Sequence, residues 1–232
     1  VAQAVDATIE AGRTLAANHL ETAVADIEYG DGRFTVAGTD RSVSLAALAA
    51  VAAKTQADLR PSEQGLTGAA HFQPPRVTFP NGCHVCEVEV DPETGAVEVM
   101  SYVVVEDIGR VLSRVLAHGQ VHGGVAQGMG QALAEQIRYD AETGQLLTGS
   151  FMDYAMPRAG DIPSISIEMR EVPTKVNALG AKGVGEAGTV GALAATMNAI
   201  CDALAPLGVR HLDMPATPDR VWTAIQAARS GR

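Results

Sequence analysis

Apolar residues recur at helical spacing in several stretches of this chain. An apolar stripe in the first twenty residues predicts an amphipathic helix over 1–20. Ser42 or Ser44 is placed to cap a second helix at its N-terminus. The pattern predicts this second helix and three more over 45–55, 112–135, 188–205 and 218–229.

Alternating apolar and polar positions predict strands, most of them paired in hairpins. One hairpin joins 27–29 to 33–36 through a Gly-Asp-Gly turn, and another joins 84–90 to 96–105. The pattern also predicts a third hairpin over 137–147 and a single strand over 164–171. Because hairpins and helices mix without regular β-α-β alternation, the predicted fold class is α+β.

Proline and glycine concentrate between these two groups of elements. Residues 61–82 contain four prolines and three glycines, a composition typical of a linker. The predicted organisation is a helix-hairpin-helix segment over 1–60, this linker, and a C-terminal domain over 83–232.

Composition narrows the class of protein. A chain of 232 residues that is 47% hydrophobic and 19% charged is expected to pack a core. A net charge of -10 argues against a nucleic-acid-binding surface. The sequence shows neither an apolar run of membrane length nor a signal peptide, so we expect no transmembrane span and a cytoplasmic location. The chain begins with Val1 inside a predicted helix, which indicates a piece of something longer.

Cys83 and Cys86 form a C-x-x-C pattern, but their context is not that of a redox or zinc site. They lie in an alternating stretch that reads as a half-buried strand, where positions 83 and 86 point to opposite faces. The sequence offers no second pair for zinc. We therefore interpret both as small strand residues.

A glycine-rich segment, 180–189, carries the strongest candidate chemistry. It places Glu186 just before a long apolar helix, where free backbone N–H groups and the helix dipole favour an anion. Glu186 is therefore either a helix cap or a catalytic base. A dinucleotide-binding fingerprint would need a strand directly before the glycines, and a P-loop would need Ser or Thr after Lys182. Neither condition is met.

The helix over 112–135 combines glycines and amides on one face. Gln120, Gly124, Gln127 and Gln131 share that face by their spacing. A helical glycine costs about 1 kcal/mol relative to alanine, so something must offset several of them. Close approach of another helix is one explanation, and a bound ligand is the other. The three amides favour the ligand.

Five motifs, in order, resemble the molybdenum-binding large subunit of the xanthine dehydrogenase family, the molybdenum hydroxylases. The resemblance runs from about 82 to 225 and fits best the branch that is similar to carbon monoxide dehydrogenase and bacterial aldehyde oxidases. Weaker similarity covers 1–60. The motifs are VEDIGR at 105–110, GQVHGGVAQGMGQ at 119–131, MDYAMP at 152–157, GAKGVGE at 180–186 and HLDMP at 211–215.

This resemblance implies a chemistry and a set of site residues. Family members hydroxylate a carbon with oxygen from water at a molybdenum held by a pterin, in bacteria usually molybdopterin cytosine dinucleotide. Glu186 would be the base toward the metal-bound hydroxyl, and Gln120 a donor to the pterin or metal oxygens. No side chain would ligate the metal. The further cofactor neighbours implied are His122, Gly123, Gly124, Lys182, Gly183, Val184 and Gly185. For His122, a histidine satisfied within helix packing is an equally good interpretation.

The resemblance also implies partners. Family large subunits carry an N-terminal half that completes the cofactor site. They work with iron-sulfur and flavin partner subunits, which hold [2Fe-2S] clusters and FAD. We expect a homo-oligomeric complex, and an isolated chain that is inactive and empty of cofactor. The sequence does not choose among carbon monoxide, aldehydes, purines and other heterocycles as substrate. The alternative is a non-catalytic scaffold module with the same fold.

Overall fold

The structure is a computed structural model that describes residues 1–55 and 66–231. These residues form two compact units, Val1–Gln73 and Pro74–Arg232. Part of the predicted linker falls outside the described ranges, and its residues 66–80 form neither helix nor strand. Helices together with small sheets make up both units, which confirms the α+β prediction.

The first unit packs two helices with a small antiparallel sheet. Phe34 lies in its hydrophobic core and is fully buried together with Ala16, Ile27 and Leu48. At Gly12 of the first helix, an added Cβ would lie 2.3 Å from Phe34 Cζ, so glycine permits this close approach. The elements are α1 (Ala2–His19), β1 (Ile27–Gly30), β2 (Arg33–Val36), β3 (Ser42–Ser44) and α2 (Leu45–Thr55), with the strands in the order β1-β2-β3.

Ser44 is the residue that caps α2. Its Oγ accepts a hydrogen bond from the Ala47 N–H at 3.1 Å. Ser42 instead bonds the Arg33 side chain, and Ser42–Ser44 form a third strand that the sequence analysis did not predict. Three residues, two of them serines, are too few to show alternation, and only pairing with β2 makes them a strand.

The second unit places three helices around a three-stranded sheet. The strand β5 (Val97–Asp107) is antiparallel to β4 (Asn81–Val90) and parallel to β6 (Ile165–Met169), with a register shift at Glu87/Val88. Val104 on β5 is buried against Val121 and Val125 of the third helix. The elements are β4 (Asn81–Val90), β5 (Val97–Asp107), α3 (Arg114–Leu133), β6 (Ile165–Met169), α4 (Ala187–Leu204) and α5 (Pro218–Arg229).

Two strand predictions for this unit need correction. β4 begins at Asn81, inside the predicted linker, because pairing with Asp107 of β5 extends it. The predicted hairpin over 137–147 shrinks to a single bridge between Tyr139 and Leu146. The turn itself is as predicted, since the Asp140 carboxylate accepts hydrogen bonds from Thr143, but its flanks are too short and exposed to form a ladder.

Cys83 and Cys86 lie on β4 as predicted. Cys83 is exposed, Cys86 is partly buried, and neither forms a disulfide. This confirms the interpretation of both as strand residues on opposite faces.

The sequence pattern favoured a bound ligand as the explanation for the glycines of α3, whereas two of them have a packing role. An added Cβ on Gly124 would lie 2.9 Å from Thr189 N and 3.0 Å from Gly188 Cα, both on α4. One on Gly128 would lie 2.6 Å from Ala192 Cβ. Close approach of another helix, rather than a ligand, therefore accounts for these two glycines. The amides of that face remain exposed.

The α4 helix is central to the second unit. With the turn that follows, Ala187–Leu207 is long and apolar enough to cross a membrane by length and composition, which corrects the expectation that no apolar run reaches that length. In this structure its small residues pack against α3 and β4, while Ile200 and Leu204 enter a cluster with Val221 and Ile225 of α5. Only 22% of the apolar window is buried, and core packing accounts for the buried face of the helix alone. That face consists of Gly188, Ala192, Thr196, Ile200 and Leu204.

We expect Gly128→Ala to destabilise the second unit by about 1–3 kcal/mol, because its methyl group would overlap Ala192. The measurement is urea unfolding of the 232-residue chain followed by the fluorescence of Trp222, the one tryptophan. Gly119→Ala is the matched control on the same helix. Its Cβ would meet nothing within 4 Å, so it should stabilise by up to about 1 kcal/mol. Equal effects of the two substitutions would contradict the packing explanation.

Candidate functional site

A cleft of about 670 Å³ lies in the second unit, beside the start of α4. The residues before β4 form one wall, with Val77 and Phe79 largely exposed. The glycine-rich loop and the first turns of α4 form another wall. Of the predicted site residues, the cleft is lined by Glu186, Gly183 and Gly185.

Glu186 occupies the N-cap position of α4. Its carboxylate is exposed and does not cap the helix. No described residue forms a hydrogen bond or ion pair with it. Of the two interpretations of Glu186, the cap therefore lacks the contact it requires. The side chain is left available to a group in the cleft.

The glycine loop exposes its backbone at the same place. An added Cβ on Gly183 or Gly185 would meet nothing within 4 Å, so the chain is open there to a close neighbour. Gln120 of α3 donates a hydrogen bond from Nε2 to the Gly185 carbonyl at 3.0 Å. The helix face and the loop, predicted independently, are therefore in direct contact.

The other end of the loop is anchored to the chain after β5. Arg110 N–H donates to the Gly180 carbonyl at 2.9 Å, and Lys182 N–H donates to the Ile108 carbonyl at 2.8 Å. Gly109 and Gly180 both have positive φ, of 69° and 70°. A Cβ on Gly109 would also lie 2.2 Å from the Gly180 oxygen. The motifs at 105–110 and 180–186 thus form one interlocked structure.

Lys182 and Asp107 form an ion pair beneath this loop. The Lys182 Nζ to Asp107 Oδ2 distance is 2.5 Å, and the two side chains are only 11% and 14% exposed. Asp107 Oδ1 also accepts from the N–H groups of Gly109 and Val172. Burial raises the pKa of Asp107, but the hydrogen bond from Lys182 and the two from backbone outweigh it, so the pKa is lowered. The Lys182 ammonium is thus engaged by Asp107, and its predicted role toward a cofactor stays a prediction.

Sequence reasoning missed a buried polar network on the floor of the cleft. His84 Nε2 lies 2.9 Å from Glu106 Oε1, and His84 Nδ1 lies 2.9 Å from the Tyr102 hydroxyl. Burial first, and then the charges of Cys86 and Glu106, raise the pKa of Tyr102. The phenol therefore stays protonated and can donate to Nδ1, which leaves an N–H on Nε2 to donate to Glu106.

A signal for this network was present in the sequence. Tyr102, Val104 and Glu106 lie at alternate positions of β5, so their side chains point to one face of the sheet. His84 of β4 lies directly opposite Val104, so its side chain points to the same face. Three polar side chains on the inner face of a sheet require partners. The register between β4 and β5 was the missing information.

The remaining predicted residues lie on α3 and in the loop. His122 is exposed and its Nδ1 lies 2.9 Å from the His118 carbonyl oxygen, which is a contact within its own helix. Gly123 is exposed with open space beside it, whereas Gly124 is buried under α4. Val184 is partly buried against the core of the sheet. Their roles toward a cofactor stay predictions.

The second unit has another cleft, which lies apart from the predicted site residues. This cleft, of about 540 Å³, is lined by residues of β5, α3 and the chain around 157–163, and contains none of the predicted site residues. Among the described residues, no three His, Cys, Asp or Glu side chains are grouped to hold a metal ion.

The 670 Å³ cleft combines an apolar wall with a few polar groups, as an organic ligand requires. It offers exposed backbone at Gly183 and Gly185 and one free carboxylate, that of Glu186, at the start of α4. The Gln120 amide lies at its edge through Gly185. These groups can accept and donate hydrogen bonds and can take up a proton at Glu186.

Comparisons with known proteins show the family to which this chain belongs. The model of the molybdopterin cofactor-binding domain family matches residues 1–163. The nicotine 6-hydroxylase large subunit of Paenarthrobacter nicotinovorans is 40% identical over 214 residues, 91% of this chain and 26% of the relative. The carbon monoxide dehydrogenase large chain of Hydrogenophaga pseudoflava is 35% identical over 216 residues, 92% of this chain and 26% of the relative.

A solved structure gives the same result. The crystal structure of the Cu,Mo-CO dehydrogenase superposes with a TM-score of 0.83 at 31% identity, covering 97% of this chain and 28% of the matched chain. The chain therefore spans about a quarter of the length of the relatives that it matches.

These matches define a class, the cofactor-binding region of molybdenum-dependent oxidoreductase large subunits. The chain belongs to the molybdopterin cofactor-binding domain family, within the xanthine dehydrogenase group of molybdenum hydroxylases. The family identified from the five motifs is confirmed.

Asp107→Asn should lower the free energy of unfolding at pH 7 by about 2–3 kcal/mol, because Lys182 loses its buried counter-charge. The pKa of Asp107 is depressed on folding, so its ionisation stabilises the protein above its unfolded pKa of about 3.9. This contribution disappears as the pH falls through the lower folded value. Urea unfolding between pH 2.5 and 7 should thus show a weaker acid dependence for the variant. Asp202→Asn, at an exposed site on α4, is the control, and an unchanged acid dependence in Asp107→Asn would disprove the assignment.

Proposed function

We propose that this chain forms part of the active site of a molybdenum hydroxylase, with Glu186 as the catalytic base. The observation that supports this most is the exposed carboxylate of Glu186, without a partner among the described residues, at the mouth of the cleft. Its position between an open glycine backbone and a helix start is that of a group directed at a ligand. A structural acid at this position would cap α4, and Glu186 does not.

Three residues of this chain have different roles beside the cofactor. Gly183 and Gly185 present backbone to it, and Gln120 holds the loop at Gly185 while its amide stands at the cleft edge. When bound, the molybdenum-pterin cofactor supplies the acceptor for the two electrons removed from the substrate. For an aldehyde or a heterocycle, the overall reaction converts R–H and water to R–OH, two protons and two electrons. For carbon monoxide, it converts CO and water to CO2, two protons and two electrons.

Glu186 is the proton acceptor in this scheme. Its carboxylate takes the proton of the water-derived hydroxyl group as that oxygen attacks the substrate carbon. A carboxylate is suited to this role because it can accept a proton and, here, forms no hydrogen bond or ion pair with a described residue. The start of α4 stabilises negative charge at the same place, before proton transfer on Glu186 and after it on the product oxygen.

The complete enzyme contains more than this chain. We propose that an N-terminal part of the large subunit closes the cofactor site, and that FAD and [2Fe-2S] clusters on partner subunits carry the electrons away. The cofactor is proposed to be the cytosine dinucleotide form of molybdopterin. The proposed setting is a homo-oligomeric complex in the cytoplasm.

The proposed substrate is small and is oxidised at carbon, as an aldehyde, a nitrogen heterocycle or carbon monoxide. The relatives support this range, since their names include carbon monoxide dehydrogenase and nicotine 6-hydroxylase. The wall of the cleft within this chain is apolar around Val77, Phe79 and Val190 and does not favour one of the three.

Glu186→Gln in the assembled enzyme should abolish turnover and leave molybdenum and pterin content near normal, because the amide keeps the size of the side chain and cannot accept the proton. The measurement is dye reduction with carbon monoxide, nicotine or an aldehyde, beside metal analysis. Glu142→Gln, at an exposed turn, is the matched control and should be as active as the parent. Turnover by Glu186→Gln would show that Glu186 is not the base.

Gln120→Leu should reduce activity about 10–100-fold, because the loop loses its hydrogen bond at Gly185 and the cofactor loses an amide donor. Retention of the pterin during gel filtration should fall as well. Gln131→Leu provides the control on the same helix, since Gln131 is exposed and, unlike Gln120, forms no hydrogen bond with the Gly185 carbonyl. If both variants behave alike, the amide at position 120 has no special role.

A further inference from the structure

The Glu186 side chain forms no hydrogen bond or ion pair with a described residue that would fix its position. Its carboxylate is therefore placed only by the backbone at the start of α4. On one side, that backbone is held by Gln120 through Gly185 and by the packing of Gly188 on α3. A second support is required on the side that faces the sheet.

The His84 ring is the group that meets α4 on that side. An added Cβ on Gly191 of α4 would lie 2.4 Å from Cδ2 and from Nε2 of His84. The helix therefore rests directly on the imidazole, and only glycine leaves room for it. Gly191 follows Glu186 by five residues, about one and a half turns of helix.

The ring itself is held firmly. Both nitrogens are hydrogen-bonded, to Tyr102 and to Glu106, and the His84 and Glu106 side chains are 5% and 2% exposed. Val104 lies directly across from His84 in the sheet, between its two partners. A ring held at both ends and buried cannot rotate away from the helix.

Glu106 is enclosed in the same manner. An added Cβ on Gly82 of β4 would lie 2.6 Å from Glu106 Oε2, so glycine again permits the approach. Glu106 and His84 both reach the lining of the cleft that Glu186 borders. The network thus joins the sheet, the cleft and the first turns of α4.

We infer that His84 and Glu106 are positioning residues that hold the start of α4, and with it the Glu186 carboxylate, at the reacting group in the cleft. This inference rests on the proposed function of Glu186. Tyr102 belongs to the same device, because its hydroxyl fixes the other nitrogen of the ring. A displacement of about 1 Å at a catalytic group can cost about 100-fold in rate, so such a support matters for catalysis more than for binding.

The test uses the assembled enzyme and the substrate that supports turnover by the parent. Gly191→Ala should lower kcat about 100-fold, because the methyl group displaces α4 from a ring that cannot move. KM and molybdenum content should be unchanged, since the cofactor and substrate contacts elsewhere remain. The control is Gly160→Ala, whose methyl group meets nothing within 4 Å and which should keep the kcat of the parent.

Substitutions of Glu106 separate positioning from simple packing. Glu106→Leu should lower kcat in the same way, because the ring loses its acceptor. Glu106→Gln keeps an acceptor for Nε2–H and should restore at least tenfold of that loss. A crystal structure of the Gly191→Ala enzyme should show the Glu186 carboxylate displaced from its place in the parent.

The outcomes distinguish this inference from the proposed function. Turnover by Glu186→Gln would overturn both. If Glu186→Gln is inactive while Gly191→Ala keeps the kcat of the parent, only the positioning role is overturned. A slow Gly191→Ala enzyme with Glu186 in its original place would also overturn it. Should Glu106→Leu fail to assemble, Gly191→Ala and its crystal structure still decide.

Discussion

The close crossing of α3 and α4 is the constraint on which the rest of the second unit depends. Gly124 and Gly128 on one helix meet Gly188 and Ala192 on the other, with no side chain large enough to separate them. This crossing brings Gln120 within hydrogen-bonding distance of Gly185. It also fixes where α4 begins. The position of the site therefore depends on how these two helices pack. The same packing places the glycine-rich loop that precedes α4.

Local patterns were sufficient for much of the fold. Five helices and most strands follow from apolar spacing, and the turns follow from Gly and Asp. Residues whose structure depends on distant partners were missed. Ser42–Ser44 become a strand only through β2, β4 extends to Asn81 only through Asp107, and β6 is parallel to β5 through a connection that no local pattern reports.

The candidate site was also predicted only in part. Its locally recognisable residues were found, and the residues that distant contacts bring together were missed. Glu186 and the glycine loop were identified because one acid among glycines before a helix is visible in the sequence. The Asp107–Lys182 pair joins residues 75 apart, and the His84–Glu106 pair joins two strands whose register was not known. For Gly124, spacing alone could not distinguish a helix neighbour from a ligand. The contact with Gly188 decides it.

The isolation of Glu186 has a consequence for how such a protein can change over time. Groups that hold the loop, such as Asp107, are tied into the fold, and replacing them costs stability. The Glu186 side chain takes part in no bond of the described chain, so folding places almost no restriction on its identity. Under the proposed function, natural selection at this position acts on the chemistry of the side chain rather than on stability. The same scaffold could acquire or lose a reactive group here without first compensating for a loss of stability.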